Sequence, residues 1–251
     1  MISTCARLSP TLLLLGCVPV GASGQVGYAR MKVAGQLALD AAGNQGSIEQ
    51  GVDSAFGLGQ GEGSPYYRAQ VDFGGPVVTA SAFWLRDSGR GELADAFGGF
   101  ASGTSVASRL DVAVAKIGAS YDFDLGLVKV SPGVLFDVFA LDFSARELTL
   151  NGREEIDDIV FVPMPAVRAE SRLGSFAVVA ELGGIAASGS GDNEGRFFDA
   201  EAMLEWSPLP LAHLFAGYRL LDIDGSGRSG TESFAVDLQI EGWMIGGGVR
   251  F

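Results

Sequence analysis

A single imidazole, His213, serves the whole chain, and no serine stands next to it in sequence to mark a nucleophile. General acid–base and nucleophilic catalysis need a base within hydrogen-bond reach of the group it activates, so His213 alone gives no catalytic pair. One histidine also cannot build a His-rich metal site. The two cysteines, Cys5 and Cys17, both sit near the N-terminus, which leaves the rest of the chain without a disulfide framework or thiol chemistry. Asp222-Ile223-Asp224-Gly225-Ser226-Gly227 imitates the first half of an EF-hand loop. Its twelfth position falls on Ser233, where a bidentate Glu is needed, and no helices flank it. The glycines at 57, 59, 61, 63, 98 and 99 do not lead from a strand into a helix, so a phosphate cradle is excluded. No catalytic residue, cofactor or metal is expected, and the chain is expected not to be an enzyme.

The elements that remain are best read from composition and period. Hydrophobic residues make up 47% of the 251 positions and charged residues 19%, with 37 Gly and a net charge of -13. That acidity excludes a nucleic-acid binder, which needs a basic face. A mean hydropathy of +0.27 excludes a disordered chain. Only the N-terminus approaches the run of about 20 apolar residues that a membrane helix needs. Residues 1–24 carry one base, Arg7, and no acid; an apolar run from Leu12 to Val20 closes on Gly21-Ala22-Ser23-Gly24. This is the layout of a secretory signal peptide, leaving residues 25–251 as one domain. Leu14-Leu15-Gly16-Cys17 also resembles a lipobox, with Cys17 as the lipidated residue.

After residue 28, apolar and polar residues alternate, the period of two that marks a strand. Phe198, Ala200, Ala202, Leu204 and Trp206, for example, alternate with Asp199, Glu201, Met203 and Glu205. Ten such segments occur: 28–41, 65–74, 77–87, 108–124, 127–143, 159–173, 176–187, 197–206, 211–223 and 233–251. Four connections are short and hold Gly or Pro. They alternate with longer ones at 42–64, 88–107, 144–158, 188–196 and 224–232, rich in Gly, Ser, Asp, Glu and Asn, of which the glycine-rich stretches 57–63 and 98–99 are read as mobile loops. Short turns at one end and long loops at the other describe an all-β, single antiparallel transmembrane β-barrel of about ten strands, with eight as the alternative. Two aromatic rows agree with interfacial girdles: Tyr28, Phe73, Tyr121, Phe123, Phe176, Trp206 and Phe251 near the turns, and Tyr67, Phe143, Phe161, Phe198 and Phe234 near the loops. The apolar face changes parity within 108–124 and 233–251, which predicts β-bulges near Ala115–Lys116 and Glu241–Gly242.

The chain ends on Gly246-Gly247-Gly248-Val249-Arg250-Phe251. Gly246, Val249 and Phe251 resemble the C-terminal assembly signal of bacterial outer-membrane barrels, and Gly217 to Asp222 looks like a late strand of small OmpA/OmpW-like, porin-type barrels. The resemblance implies an exported protein of the outer membrane in a Gram-negative-type envelope. Its partners would be outer-membrane lipid and, during insertion, the barrel-assembly machinery. Ten-stranded outer-membrane proteases of the omptin type use Asp and His at the extracellular end. His213 falls beside a short turn, so that role is carried to no residue here.

If the alternating apolar residues face lipid, the residues between them face a lumen. That set includes Lys32, Arg68, Asp72, Lys116, Lys129, Asp137, Arg168, Glu170, Arg172, Glu181, Asp199, Glu201, Glu205, Arg219, Asp237 and Glu241. Buried charges must be paired, so these either brace the barrel or line a narrow aqueous path. The expected function is a structural barrel or a weak passive channel for small solutes. The alternative is a binding or adhesion module acting through loops 42–64 and 88–107, and an outer-membrane enzyme ranks behind both.

Overall fold

In the computed structural model the described residues are 21–40, 48–150, 152–188, 194–229 and 232–251. All regular structure among them is strand: β1 (Gly21–Asp40), β2 (Gln50–Gly51), β3 (Glu62–Asp72), β4 (Pro76–Glu92), β5 (Ser105–Tyr121), β6 (Phe123–Asp124), β7 (Val128–Glu147), β8 (Arg153–Leu173), β9 (Phe176–Ser188), β10 (Glu194–Trp206), β11 (Ala212–Ser229) and β12 (Glu232–Arg250). β2 and β6 are two-residue additions. The other ten run antiparallel around a sheet that closes on itself where β12 pairs β1, from Ser23↔Arg250 to Asp40↔Ser233. This is the ten-stranded barrel, not the eight-stranded alternative. β1 begins at Gly21, inside the segment read as the leader; the rest of that segment, Cys17 included, lies outside the described residues.

Strand length explains the shape. Crossing a bilayer takes about 9–11 tilted residues. β7 has 20 residues and β8 has 21, so both stand well beyond the membrane at the loop end. Much of what reads as long loop is therefore strand, and Asp222 to Ser229 belongs to β11 rather than to a calcium loop. At the other end turns are tight; Gly174, at φ +63°, makes the two-residue turn between β8 and β9 without a Cβ clash.

The barrel has two storeys. In the turn-end storey the outer wall is apolar, with Val26, Val78, Ile117, Val134, Val178, Leu204, Leu214 and Ile245 all exposed. Aromatic side chains border this belt. Tyr28, Tyr67, Trp84, Phe161, Phe198, Tyr218 and Trp243 stand above it, with Tyr67–Trp84 and Tyr218–Trp243 edge to face. Tyr121, Phe123, Phe176 and Trp206 stand below. Tyr28 joins the upper row, not the lower, because β1 starts seven residues before it and pairs it with Pro65 and Ile245. Phe143 and Phe234 leave the girdle altogether and are buried inside.

In the loop-end storey the arrangement inverts. Leu110, Val112 and Val114 of β5 and Phe234, Val236, Leu238 and Ile240 of β12 point inward, while Arg86, Asp111, Lys32 and Glu241 stand on the outer wall. Neither expected bulge exists. β5 pairs β4 without interruption from Pro76↔Tyr121 to Glu92↔Ser105, and β12 pairs β1 and β11 equally evenly. The apolar face switches because the surroundings switch: lipid outside below, water outside above. An apolar core above needs inward-facing hydrophobes where the wall meets water.

The described part of the first connection is not a free surface loop. Val52, Ala55, Phe56 and Leu58 are buried in the barrel mouth, where Phe56 meets Phe97 and Phe143 edge to face, centroids 5.0 and 4.9 Å apart. Gln50 ties this plug to residues 93–104: its Oε1 accepts from Ala94 N (2.9 Å) and its Nε2 donates to Asp95 O (2.9 Å). Gly57, at φ +69°, passes so close to β4 that a Cβ would lie 2.3 Å from Arg90 O.

Candidate functional site

Strand alternation brings most of the expected lumen charges together, in the lower storey. Lys116 Nζ lies 2.6 Å from Glu181, 3.1 Å from Asp199 and 3.5 Å from Glu201. Arg219 forks onto Asp199 with two bonds of 3.1 and 2.9 Å and stacks over Phe83, 5.1 Å from its centroid. Arg68 pairs with Glu201, which also accepts from Tyr66 Oη at 3.2 Å. Arg168 pairs with Glu170 and donates to Gln70 at 3.1 Å. Asp137 is buried beside this group but forms no ion pair with the described cations. Most of these charges are thus paired with one another, as buried charges must be, beneath an apolar core.

Nearer the turns the network thins. Arg172 reaches Glu170 from a half-exposed position, Lys129 lies 3.5 Å from Asp122, and Asp72 is only partly covered. Arg250 meets Glu205 at 2.7 Å. Gln25 Nε2 donates to Glu205 at 2.6 Å and lies 2.9 Å from His213 Nε2. His213 is buried at this end and faces no nucleophile there. Lys32, Asp237 and Glu241 are a correction: they sit on the outer wall of the upper storey, with Lys32 and Glu241 paired at 2.6 Å. They share the sequence parity of the lumen charges only because the apolar face has changed sides beneath them.

The terminal glycines have a packing reason besides any assembly role. Gly246 and Gly248 line the β1–β12 seam under Phe215 and His213, whose ring atoms would lie 2.7 Å from an added Cβ. Val249 faces lipid, and Phe251 closes the lower rim through backbone bonds with Ala22.

The site that the sequence reading missed is in the upper storey. β8 pairs β9 only from Leu173↔Phe176 to Ala166↔Gly183. Above that, β8 stays paired with β7 as far as Arg153↔Arg146, and β9 stays with β10 as far as Ser188↔Glu194. The wall is therefore unzipped between β8 and β9. The cause is local: Pro163 and Pro165 lack N–H groups. Because β8 keeps its β7 ladder through Phe136↔Pro163 and Val134↔Pro165, the missing donors fall on the β9 edge. A proline pair inside an otherwise strand-like run was the available signal.

Behind the opening is a chamber of about 480 Å³. Phe139, Leu141, Val160, Val162, Ile185, Phe197, Ile223, Phe234 and Val236 line it, and Asp158, Arg196 and Asp224 stand at its rim. Its size and apolar walls are those of a small-molecule site. Among the described residues no His, Cys, Asp or Glu cluster could hold a metal ion.

No family model matches the sequence, and no curated protein matches it. Solved structures do match in shape. The chain is similar to the outer membrane protease OmpT of Escherichia coli, with a TM-score of 0.56 at 7% identity over 92% of this chain and 96% of that one. Weaker likenesses are to Ail, the attachment invasion locus protein of Yersinia pestis (TM-score 0.40, 12% identity, 92% of this chain and 98% of that one), and to the outer membrane protein AlkL (TM-score 0.41, 13% identity, 100% and 97%). With its closed ten-strand circuit and apolar belt, the molecule has the fold of a bacterial outer-membrane β-barrel, and the belt suits a lipid bilayer.

Proposed function

We propose that this barrel binds small apolar molecules in the upper chamber and exchanges them sideways through the β8–β9 opening, without chemical conversion. One observation carries the reading: the wall is unzipped above Ala166↔Gly183 onto an apolar chamber, while the interior below is filled by ion pairs. A water-filled channel for polar solutes would need the reverse, an open polar lumen and an intact wall. The chamber lining has one hydroxyl, Ser226, and no imidazole, since the one histidine lies at the far end, so binding without conversion is the reading favoured. The partners in this reading are outer-membrane lipid around the belt, the assembly machinery during insertion, and the apolar solute itself.

The test is methyl NMR on the barrel in zwitterionic nanodiscs with labelled isoleucines. Ile185 and Ile223 face the chamber, whereas Ile117 and Ile245 face lipid. Titrated 1-octanol should shift the first pair saturably while the second pair reports only bulk partitioning. Val160→Trp, which fills the chamber, should abolish the saturable shift. Equal, unsaturable shifts at all four methyls would refute the chamber, and discrete ion conductance in bilayers would refute the filled interior.

A further inference from the structure

The chamber walls carry no charge, so what distinguishes one apolar solute from another is its rim. Asp158 points into the mouth from β8, accepts a hydrogen bond from Ile159 N at 2.8 Å, and pairs with none of the described cations. Across the opening, Asp224 shares Arg196 with Asp222, both at a loose 3.8 Å. The one described rim cation is thus held between two carboxylates, and the third, Asp158, has no ion pair among the described residues. On the outer face of β8, Asp157 adds a further carboxylate beside Asp158, whereas Glu155 is already paired with Arg153. Low-dielectric walls beneath a rim on which the described carboxylates outnumber the described cation concentrate its field at the mouth.

We infer that the chamber selects apolar molecules with a cationic head, an alkylammonium rather than an alkylcarboxylate. This deepens the proposed function and rests on it. The tail would enter among Phe139, Val162, Ile223 and Phe234, and the ammonium would remain at the water-exposed rim between Asp158 and Asp224. A fatty carboxylate would bring its negative charge to the same place and find only Arg196, already shared. Unit charges a few ångströms apart at a wet protein surface interact strongly enough for about a tenfold difference in affinity.

The experiment repeats the isoleucine titration at neutral pH with octylammonium and with octanoate, using Ile117 and Ile245 to subtract partitioning into lipid. Octylammonium should saturate the Ile185 and Ile223 shifts at about one-tenth the concentration that octanoate needs. Asp158→Asn with Asp224→Asn should bring the two curves together. Arg196→Gln should widen the gap, because it removes the described rim cation; all three positions are partly or fully exposed, and unchanged heat-modifiable migration would confirm folding. Equal binding of the two ions, tighter binding of octanoate, or a preference that survives the double Asn variant would overturn the inference. If 1-octanol binds but octylammonium is not preferred, the rim assignment alone fails. If 1-octanol does not bind either, the chamber fails with it.

Discussion

Lys116 shows how much one buried side chain can carry. Its ammonium faces Glu181, Asp199 and Glu201 from a position that is 2% exposed. Replacing the cation alone leaves Glu181 without its partner in the barrel interior, while Asp199 and Glu201 keep Arg219 and Arg68, and breaking a buried pair on one side typically costs about 3–5 kcal/mol. Lys116→Met should therefore lower the stability of the barrel in lipid vesicles by about that much, measured by urea unfolding. Adding Glu181→Leu should recover part of the loss, since the nearest orphaned charge goes with it. If the double variant is no more stable than Lys116→Met, Glu181 is held by something other than Lys116. Residues of this kind were legible in the sequence: in the lower storey lipid forces every second residue to be apolar, and Arg68, Lys116, Arg168, Glu181, Asp199, Glu201 and Arg219 are what stands between. Lys32, Asp237 and Glu241 were not legible by the same rule. Above the belt the apolar residues point inward, and polarity no longer tells which side of the wall a residue occupies.

At the scale of the element, β8 is the informative strand. Its length and its pairing with β7 follow from alternation, and its boundary region, Val160-Phe161-Val162, reads as ordinary barrel wall. The two prolines change its meaning, because a strand can lose donors on one edge and keep its ladder on the other. Gly183 meets this point from β9, where an added Cβ would strike Leu135 and Met164, so the packing is tight just where the ladder stops. The parity changes in β5 and β12 were visible as well. Taken strand by strand they suggest bulges, and only the common height of the two changes reveals a storey. Restoring donors should close the slot: Pro163→Val with Pro165→Val is expected to extend the β8–β9 ladder upward and protect amides around Gly184 and Ile185 from exchange. The same variant should abolish the saturable 1-octanol shift at Ile185 and Ile223. Amides that remain unprotected would show that the prolines accompany the opening without causing it.

At the scale of the molecule, the barrel is two proteins stacked in one wall. The lower storey is polar inside and apolar outside, as a lipid-embedded barrel must be. The upper storey is apolar inside and polar outside, as a soluble β-barrel must be, and its mouth holds the plug that Gln50 fastens. The cores of the two storeys meet where Arg219 lies over Phe83, but their stabilising forces differ: ion pairs and lipid below, burial of apolar surface above. Elements held by different forces tend to open as separate cooperative units. Phe56 tests this, because it is fully buried, it contacts Phe97 and Phe143, and nothing in the lower storey touches it in those ring pairs. Phe56→Ala removes a core aromatic, a change that costs about 3–5 kcal/mol where the cavity does not collapse. Hydrogen exchange should quicken at Leu37, Leu39, Leu93 and Phe143, while Arg68, Lys116 and Glu201 keep their protection. The chamber shares this core through Phe139 and Phe234, so 1-octanol binding should weaken in the same variant. Uniform loss of protection over both groups would mean that the barrel unfolds as one unit, and the division into storeys would then describe its chemistry but not its cooperativity.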